Sequence, residues 1–417
     1  MTAPVTLDTP AATSGVTTKQ KFMKVPYGCT VHGEEEIAAV VAVLRTSTQM
    51  GVNVREMERR VAALFAKQHG VMVNSGSSAN YLAIELANLP PGSEVITPAL
   101  TFSTTVAPLI KNNLVPAFVD VEQDTFNINA NQIEAMITPK TRAMMIPNLL
   151  GNLPDWQRLR KLADQYNLLL IEDSADTLGA LLKNECAGRF SDITTTSFYG
   201  SHVINCAGNG GMLCLNDDKF AERAKLLRSW GRSSSLFVES EAIENRFNTT
   251  IDNIPYDAKF VFEAIGYNFE PSEMGAAFGL VQLDKLPQNI KMRENYFQQQ
   301  LQFFSQFSEW LILPKQQPHT VTGWLAYPMI VRDEAPFTRR DLQIYLEKCG
   351  IQTRTVLTGN ILRQPGFAKI NHKATADGYA CADYVTRGGI LLGCHHGMTP
   401  EMLAHIHQAF ANFTETF

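Results

Sequence analysis

Between residues 71 and 173 the chain repeats one pattern: a short, unbroken apolar run, a turn of small residues, then a stretch with helical spacing. The runs are VMVN (71–74), EVITPA (94–99), VPAFVD (115–120), RAMMIPN (142–148) and LLLIED (168–173). The helical stretches are SSANYLAIELANL (77–89), STTVAPLIKNN (103–113) and DWQRLRKLADQYN (155–167). A strand that is apolar at every position must be buried on both faces, which crossover helices on either side provide. The pattern therefore predicts an α/β fold around a mostly parallel sheet, and sheets of this kind bind ligands beyond the carboxyl ends of their strands.

Those ends carry polar groups. SGSSAN follows the first run, LTFSTT the second and SADTLG the last, and ITTTSF runs into YGSHVINCAGNGG. Hydroxyls, glycines, one aromatic ring, one acid and one histidine are thus expected along a single edge. Past about residue 285 the pattern changes to a long helical stretch, shorter strands and the amphipathic TRRDLQIYLEKCG. The expected organisation is a leader over 1–25, a large ligand-binding domain over 26–285 and a smaller α+β domain over 286–417. GEEEIAAVVAVLRT (33–46) reads as an opening helix, and SSSLFVESEAIENRFNTTIDNIPYDAKF (233–260) as a long loop.

Composition narrows the partners. A net charge of −5 in 417 residues argues against a nucleic-acid groove or an anionic membrane. No apolar run reaches the roughly 18 residues of a membrane span, and the Thr-, Ala- and Pro-rich start lacks the pattern of a secretory signal. The seven cysteines are scattered without a CxxC, which points to reduced thiols in a cytoplasmic protein. The adjacent pair His395 and His396 has no partner ligands in view, so no metal is expected.

The strand ends suggest a chemistry. NSGSSAN (74–80) offers backbone N–H groups at a helix start, close approach at Gly76, and hydroxyls from Ser75, Ser77 and Ser78; this suits a phosphate, and equally an ordinary helix cap. Asp173 closes an apolar strand, where a carboxylate needs a cationic partner. Phe102 is either core or a stacking ring. Singly these mean little, and an isolated His202 is more often structural than chemical. Together a phosphate cradle, a flat ring, an acid for a ring nitrogen and a base are what a pyridoxal phosphate site requires.

VNSGSSAN (73–80), EVITPALTFSTTV (94–106), PAFVDV (116–121), LIEDSADTLGA (170–180), SFYGSH (197–202) and GYNFEPSEMGAAFGLVQLDKL (266–286) resemble, in the same order, the DegT/StrS family of sugar aminotransferases and dehydratases. The resemblance runs from about residue 30 to the C-terminus. It implies the aspartate aminotransferase (fold type I) architecture, with a mostly parallel seven-stranded sheet. It also assigns Ser77, Ser78 and Ser197 to the cofactor phosphate, Phe102 to stacking and Asp173 to the pyridine nitrogen. Asn268 matches an asparagine that reaches the neighbouring subunit's phosphate, which implies a homodimer with shared sites.

At the place of the family's cofactor-tethering lysine stands His202. An imidazole cannot tether the cofactor, so the resemblance narrows to the subgroup that uses pyridoxamine phosphate to remove the C3 hydroxyl of nucleotide-linked 4-keto-6-deoxyhexoses. It casts His202 as the base at cofactor C4′, its ordinary pKa near 6.5 suiting proton exchange at neutral pH. Asp176 and Tyr199 fall beside the cofactor ring, or else serve packing and a helix start. Arg232 and Arg354 are candidates for substrate pyrophosphate or hydroxyls, or else surface ion pairs. The TRTVLTGNILRQP segment (353–365) belongs to the same likeness.

Two departures stand out. Where one branch of the subgroup carries cysteines for a [2Fe–2S] cluster after its WGR, residues 233–260 contain none, so no iron–sulfur cluster is expected. CAGNGG (206–211) has Asn209 where an acid is usual. Reduction of the product would then fall to a separate reductase, if to any. A sugar aminotransferase working without its lysine, and an inactive member serving as a binding subunit, remain the alternatives.

Overall fold

The computed structural model describes residues 23–417. Residues 1–22 of the expected leader lie outside that range, but its last residue, Val25, is buried and bridges Ile351. The main sheet has seven strands: β1 (His69–Val73), β2 (Glu94–Pro98), β3 (Val115–Val119), β4 (Thr141–Pro147), β5 (Leu169–Ser174), β6 (Ile193–Ser197) and β7 (Gly211–Leu215). Their order is β1-β7-β6-β5-β4-β2-β3. The β2–β3, β2–β4, β4–β5 and β5–β6 pairs are parallel, and β7 runs antiparallel to both β6 and β1.

Successive residues of β4 show why its run is continuously apolar. Ala143 and Met145 pack with Leu82 and Leu86 of the helix Gly76–Ala87. Met144 and Ile146 pack on the opposite face with Trp156 and Leu159 of the helix Trp156–Tyr166. Each strand is thus sealed on both sides, as parallel sheets require. Because β1, β2, β4, β5 and β6 point the same way, their carboxyl ends share one edge. The antiparallel β7 adds its first residue there, since Gly211 pairs with both Val73 and Ser197.

One helix of 32 residues, Glu273–Phe304, joins the large lobe to a small one. The boundary expected between 285 and 286 falls inside this helix. The small lobe is built on a three-stranded antiparallel sheet of Leu311–Ile312, Ala326–Val331 and Gly389–Gly393, flanked by Arg339–Lys348 and Pro400–Thr414. The segment read as a loop contains a β-hairpin instead, Thr249–Ile251 with Ile254–Tyr256. Its turn residues Asp252 and Asn253 both have positive φ, 50° and 67°, which fits a two-residue hairpin turn. Among the described residues no helix is long and apolar enough to cross a membrane.

A helix absent from the sequence reading, Val52–Leu64, is tied to the start of the long helix. Its N-terminal cap is Gly51, which has no side chain to accept from the first turn. Glu273 does so from a distance: its carboxylate accepts from the N–H groups of Gly51 (2.7 Å), Asn53 (2.7 Å) and Val54 (3.2 Å) and from Asn53 Nδ2 (2.9 Å). A negative group at a helix N-terminus is favourable, and buried N–H donors left alone are costly. Glu273→Ala is therefore expected to lower stability by roughly 2–4 kcal/mol, with Glu273→Gln losing less. Chemical denaturation of the two variants checks this, and equal losses would contradict the charged cap.

Candidate active site

A cavity of about 450 Å³ opens at the carboxyl edge of the sheet. Its floor begins where β1 enters the helix Gly76–Ala87. Ser75 caps that helix, its Oγ accepting from Ser78 N at 3.1 Å. Ser75, Gly76 and Ser77 line the cavity, so the helix's positive end faces it. Two glycines make this approach possible. A Cβ on Gly76 would stand 2.6 Å from Ser197 Cβ, and one on Gly211 would stand 2.3 Å from the Ser75 carbonyl. The strand ends are thus drawn closer than side chains would allow, leaving a cradle of N–H groups and hydroxyls of phosphate size.

Asp173 lies at the end of β5, lining the cavity yet only 5% exposed. Its Oδ2 accepts from Asn80 Nδ2 and Thr105 Oγ1, each at 2.8 Å, and its Oδ1 from Ala175 N at 3.1 Å. Burial pushes the carboxyl above its ordinary pKa, and the three hydrogen bonds oppose this. Every donor is neutral, so the cation that such a carboxylate needs must come from a ligand. A pyridinium meets that need. Phe102, 51% exposed, offers it a bare ring face in the same cavity. The residues present therefore fit pyridoxal or pyridoxamine phosphate.

Asp176 also lines the cavity, and its Oδ2 accepts from Leu150 N at 2.9 Å. Leu150 has a left-handed backbone (φ 59°), unfavourable for a residue with a side chain. Asp176 thereby pins the strained turn after β4, whose Asn148 and Leu149 form another wall. Burial, with a smaller push from the Asp173 charge, raises Asp176 to about 7, against the Leu150 hydrogen bond.

His202 sits on the turn between β6 and β7. Its N–H donates to Tyr199 O (2.9 Å), and Gly200 N donates to Gly208 O (3.0 Å) across the turn. His202 Nδ1 lies 3.4 Å from Ser197 O. A carbonyl only accepts, so Nδ1 carries the proton and Nε2 keeps the lone pair. Burial lowers the imidazole to about 4; the Ser197 carbonyl acts against this, and the charge of Arg293 adds to it. The ring is therefore neutral and an acceptor at physiological pH. Tyr199, 57% exposed, stands edge-on at 5.8 Å between ring centroids.

Of the residues expected from sequence, Gly76, Ser77, Phe102, Asp173, Asp176, Ser197, Tyr199 and His202 share this cavity. Four do not. Ser78 Oγ donates to Asn74 Oδ1 (2.7 Å) and receives Ser75 Oγ (3.0 Å), so its hydroxyl serves the helix cap. Asn268 is exposed outside the lining, with its carbonyl accepting from Asn74 Nδ2 at 3.4 Å. Arg232 stacks over Trp230, 4.0 Å from the ring centroid. Arg354 lies over Tyr27 at 5.4 Å, with Nη1 donating to Thr353 O at 2.7 Å.

Sequence reading missed Asn80 and Thr105, the partners of Asp173, and the walls Tyr27, Leu325 and Leu357. Asn80 and Thr105 had a signal, polar residues on otherwise apolar helix faces. The walls had none, because they come from segments far away along the chain. Among the described residues no group of three or more metal-binding side chains occurs.

Comparison with known proteins places this geometry. The sequence matches the DegT/DnrJ/EryC1/StrS aminotransferase family over residues 30–411. It is 33% identical over 401 residues to a dTDP-4-dehydro-2,6-dideoxy-D-glucose 3-dehydratase of Saccharopolyspora spinosa, covering 93% of this chain and 86% of that one. It is 31% identical over 381 residues to a GDP-4-keto-6-deoxy-D-mannose 3-dehydratase of Yersinia pseudotuberculosis, covering 90% and 95%. The structure of the Escherichia coli GDP-4-keto-6-deoxy-D-mannose-3-dehydratase with bound hydrated PLP matches with a TM-score of 0.83 at 28% identity, over 93% of this chain and 99% of that one. The fold is the fold type I architecture that the sequence motifs implied.

The Asp176 carboxyl carries a pH signature. Its folded pKa lies near 7 and its unfolded value near 3.8. Ionising it in the folded state thus costs stability above pH 7, and the cost fades as pH falls toward 4. Asp176→Asn is expected to raise the Tm of the cofactor-free protein near pH 8 and to change it little near pH 4.5. Thermal scans at both values decide; the same change at both pH values would mean that the carboxyl is not held protonated by burial.

Proposed function

We propose that this chain, which belongs to the DegT/DnrJ/EryC1/StrS aminotransferase family, is a pyridoxamine 5′-phosphate-dependent 3-dehydratase. Its substrate is a nucleotide-diphosphate 4-keto-6-deoxyhexose, which loses the C3 hydroxyl in deoxysugar biosynthesis. One observation carries the reading: among the described residues, the cavity that fits the cofactor is lined by His202 and by no lysine. The named relatives act on substrates of this class.

When bound, the cofactor supplies an amine for the sugar's C4 ketone and a ring that accepts electrons. The rest is the work of the protein's side chains. Asp173 holds the proton on the pyridine nitrogen, Gly76, Ser77 and Ser197 hold the phosphate, and Phe102 covers one ring face. His202 Nε2, neutral and unencumbered, takes the proton at C4′ and can return one. Tyr199 stands beside the cofactor ring, edge-on to the imidazole, and Asp176 keeps the wall facing the sugar in place. Pyrophosphate or hydroxyls of the substrate remain the assignment for Arg232 and Arg354. Neither forms an ion pair among the described residues, so neither charge is matched by a carboxylate there.

The protein acts as a homodimer with shared sites. Asn268 is exposed, and the hairpin at 249–256 presents Ile254, 63% exposed, and Tyr256, 45% exposed. Neighbouring Phe260, Phe262 and Ile265 are exposed as well, which suits burial against a second copy. No iron–sulfur cluster takes part, since the segment after Arg232 offers no thiolate. The seven cysteines, all free thiols, fit a reducing cytoplasm. Any reduction of the product belongs to a separate reductase.

Incubation of the protein and pyridoxamine phosphate with a panel of nucleotide-linked 4-keto-6-deoxyhexoses is expected to yield, by mass spectrometry, a sugar lacking its C3 oxygen. A sugar bearing an amine at C4 would instead make the protein an aminotransferase. His202→Asn is expected to keep cofactor binding and to lower turnover at least about 100-fold. Undiminished exchange at C4′ in that variant would remove the base assignment.

Shared sites have their own test. Asn268→Ala and His202→Asn chains, each impaired alone, are expected to recover part of the activity when mixed and refolded together. A mixture no more active than its components would place Asn268 outside the partner's site.

A further inference from the structure

Arg293 is a guanidinium with 0% exposure on the long helix Glu273–Phe304, and it forms no ion pair among the described residues. Burying such a charge without a counter-ion is costly, and hydrophobic residues commonly replace buried charges with no loss of stability. Its donors go to four acceptors on three separate segments. Nη2 donates to His202 O at 3.1 Å, and Nη1 to Trp324 O at 3.0 Å and Leu325 O at 3.3 Å. Nε donates to His396 Nδ1 at 3.2 Å. His202 and Leu325 both line the cavity. One helical turn earlier, Asn289 Nδ2 donates to Val203 O at 3.4 Å, so the helix grips two consecutive carbonyls of the same turn.

We propose that Arg293 is a positioning residue of this site. Its guanidinium locks the His202 turn to the 324–325 stretch and to His396 of the small lobe, and so fixes where the imidazole stands in the cavity. The inference rests on the dehydratase reading only for its kinetic consequence. A planar fork with donors in fixed directions can span these acceptors, whereas a lysine ammonium is a compact charge with no such geometry. The contact with His396 also accounts for the histidine pair: Nδ1 of His396 is taken by a cationic donor, and His395 Nε2 lies 3.0 Å from Pro26 O.

The charge has an effect apart from the geometry. It stands near enough to His202 to oppose protonation of the ring. Other ionisable groups facing this pair are Tyr199 on the same turn, Tyr27 from the N-terminal segment, Asp176 after β5, and Cys394, His395 and His396 from the small lobe. Of these only Asp176 carries a carboxyl, and its ionisation is governed by burial, the Leu150 N–H and Asp173; the one charge acting on the His202 ring is that of Arg293.

The test uses the full-length protein with isotopically labelled histidine, the His202 resonance being identified through His202→Asn. In the cofactor-free native protein the His202 ring is expected to titrate near 4. Arg293→Met should move the midpoint upward; Arg293→Lys should leave it low but displace the resonance, because the charge stays and the fork is lost. In turnover, Arg293→Lys should reduce kcat by about 10- to 100-fold, with KM and cofactor affinity within about 2-fold of native. A His202 resonance and midpoint unchanged in both variants would overturn the proposal. So would a native kcat in Arg293→Lys, which decides the matter should Arg293→Met fail to fold. If the native protein turned over no sugar, the dehydratase reading would fall while the resonance comparison still judged the positioning role.

Discussion

The site is organised around a carboxylate that the protein buries without giving it a charge partner. Asp173 ends a strand sealed on both faces, and its oxygens are satisfied by an amide, a hydroxyl and a backbone N–H. Those hydrogen bonds orient it but do not neutralise it, and desolvation still favours its protonated form. Two helices are committed to this arrangement, one supplying Asn80 and the other Thr105. A cation arriving from the cavity therefore completes an interaction that folding alone leaves open. Ligand binding to such a site adds directly to the stability of the folded state.

Close approach of backbone is the second constraint. Ser75, Gly76, Ser197 and Gly211 meet so tightly that a single Cβ at either glycine has nowhere to go. This compaction brings the helix N-terminus, the end of β6 and the start of β7 to one spot. On the opposite wall, Leu150 keeps an unfavourable backbone conformation because Asp176 holds its N–H and Leu325 donates to its carbonyl at 2.8 Å. Strain held in place by several partners is common where a chain must present a defined surface. Asp176 thus has a structural duty that does not compete with a role toward the ligand.

Much of this was legible because doubly buried strands write unbroken apolar runs, and the turns at the carboxyl ends of parallel strands must lie at one edge. The register of His202, counted from Ser197 and Phe198, came instead from the resemblance to the family motif. The cap role of the Ser78 hydroxyl was hidden because three hydroxyls in one short stretch look alike until helical phase is considered; with Ser75 as the cap, the residue three positions on is its partner. Arg232 and Arg354 could not be placed, since a long charged side chain carries no mark of where its head lies. Tyr27, Leu325 and Arg293 reach the site from the N-terminal segment, the small lobe and the joining helix. Their convergence is a property of tertiary packing that no local pattern encodes. The hairpin at 249–256 was hidden by the lack of a buried face, although its Asp252–Asn253 pair is a turn signal.

An imidazole where a tether would stand changes what the rest of the cavity must do. A covalent link holds a cofactor through its chemistry; without one, retention depends on phosphate contacts, ring stacking and the Asp173 charge together. Each depends on geometry set by packing, which is why the glycine approaches and the buried amide of Asn80 matter as much as the reactive groups. Under the proposed function that position is available for a base that stays neutral until it acts. Burial, the Ser197 carbonyl that selects its tautomer, and the fixed charge of Arg293 all act on that one ring. His202 shares its cavity with Gly76, Ser77, Phe102, Asp173 and Ser197, and a site with no ligand to hold would have no reason to keep an uncompensated carboxylate buried.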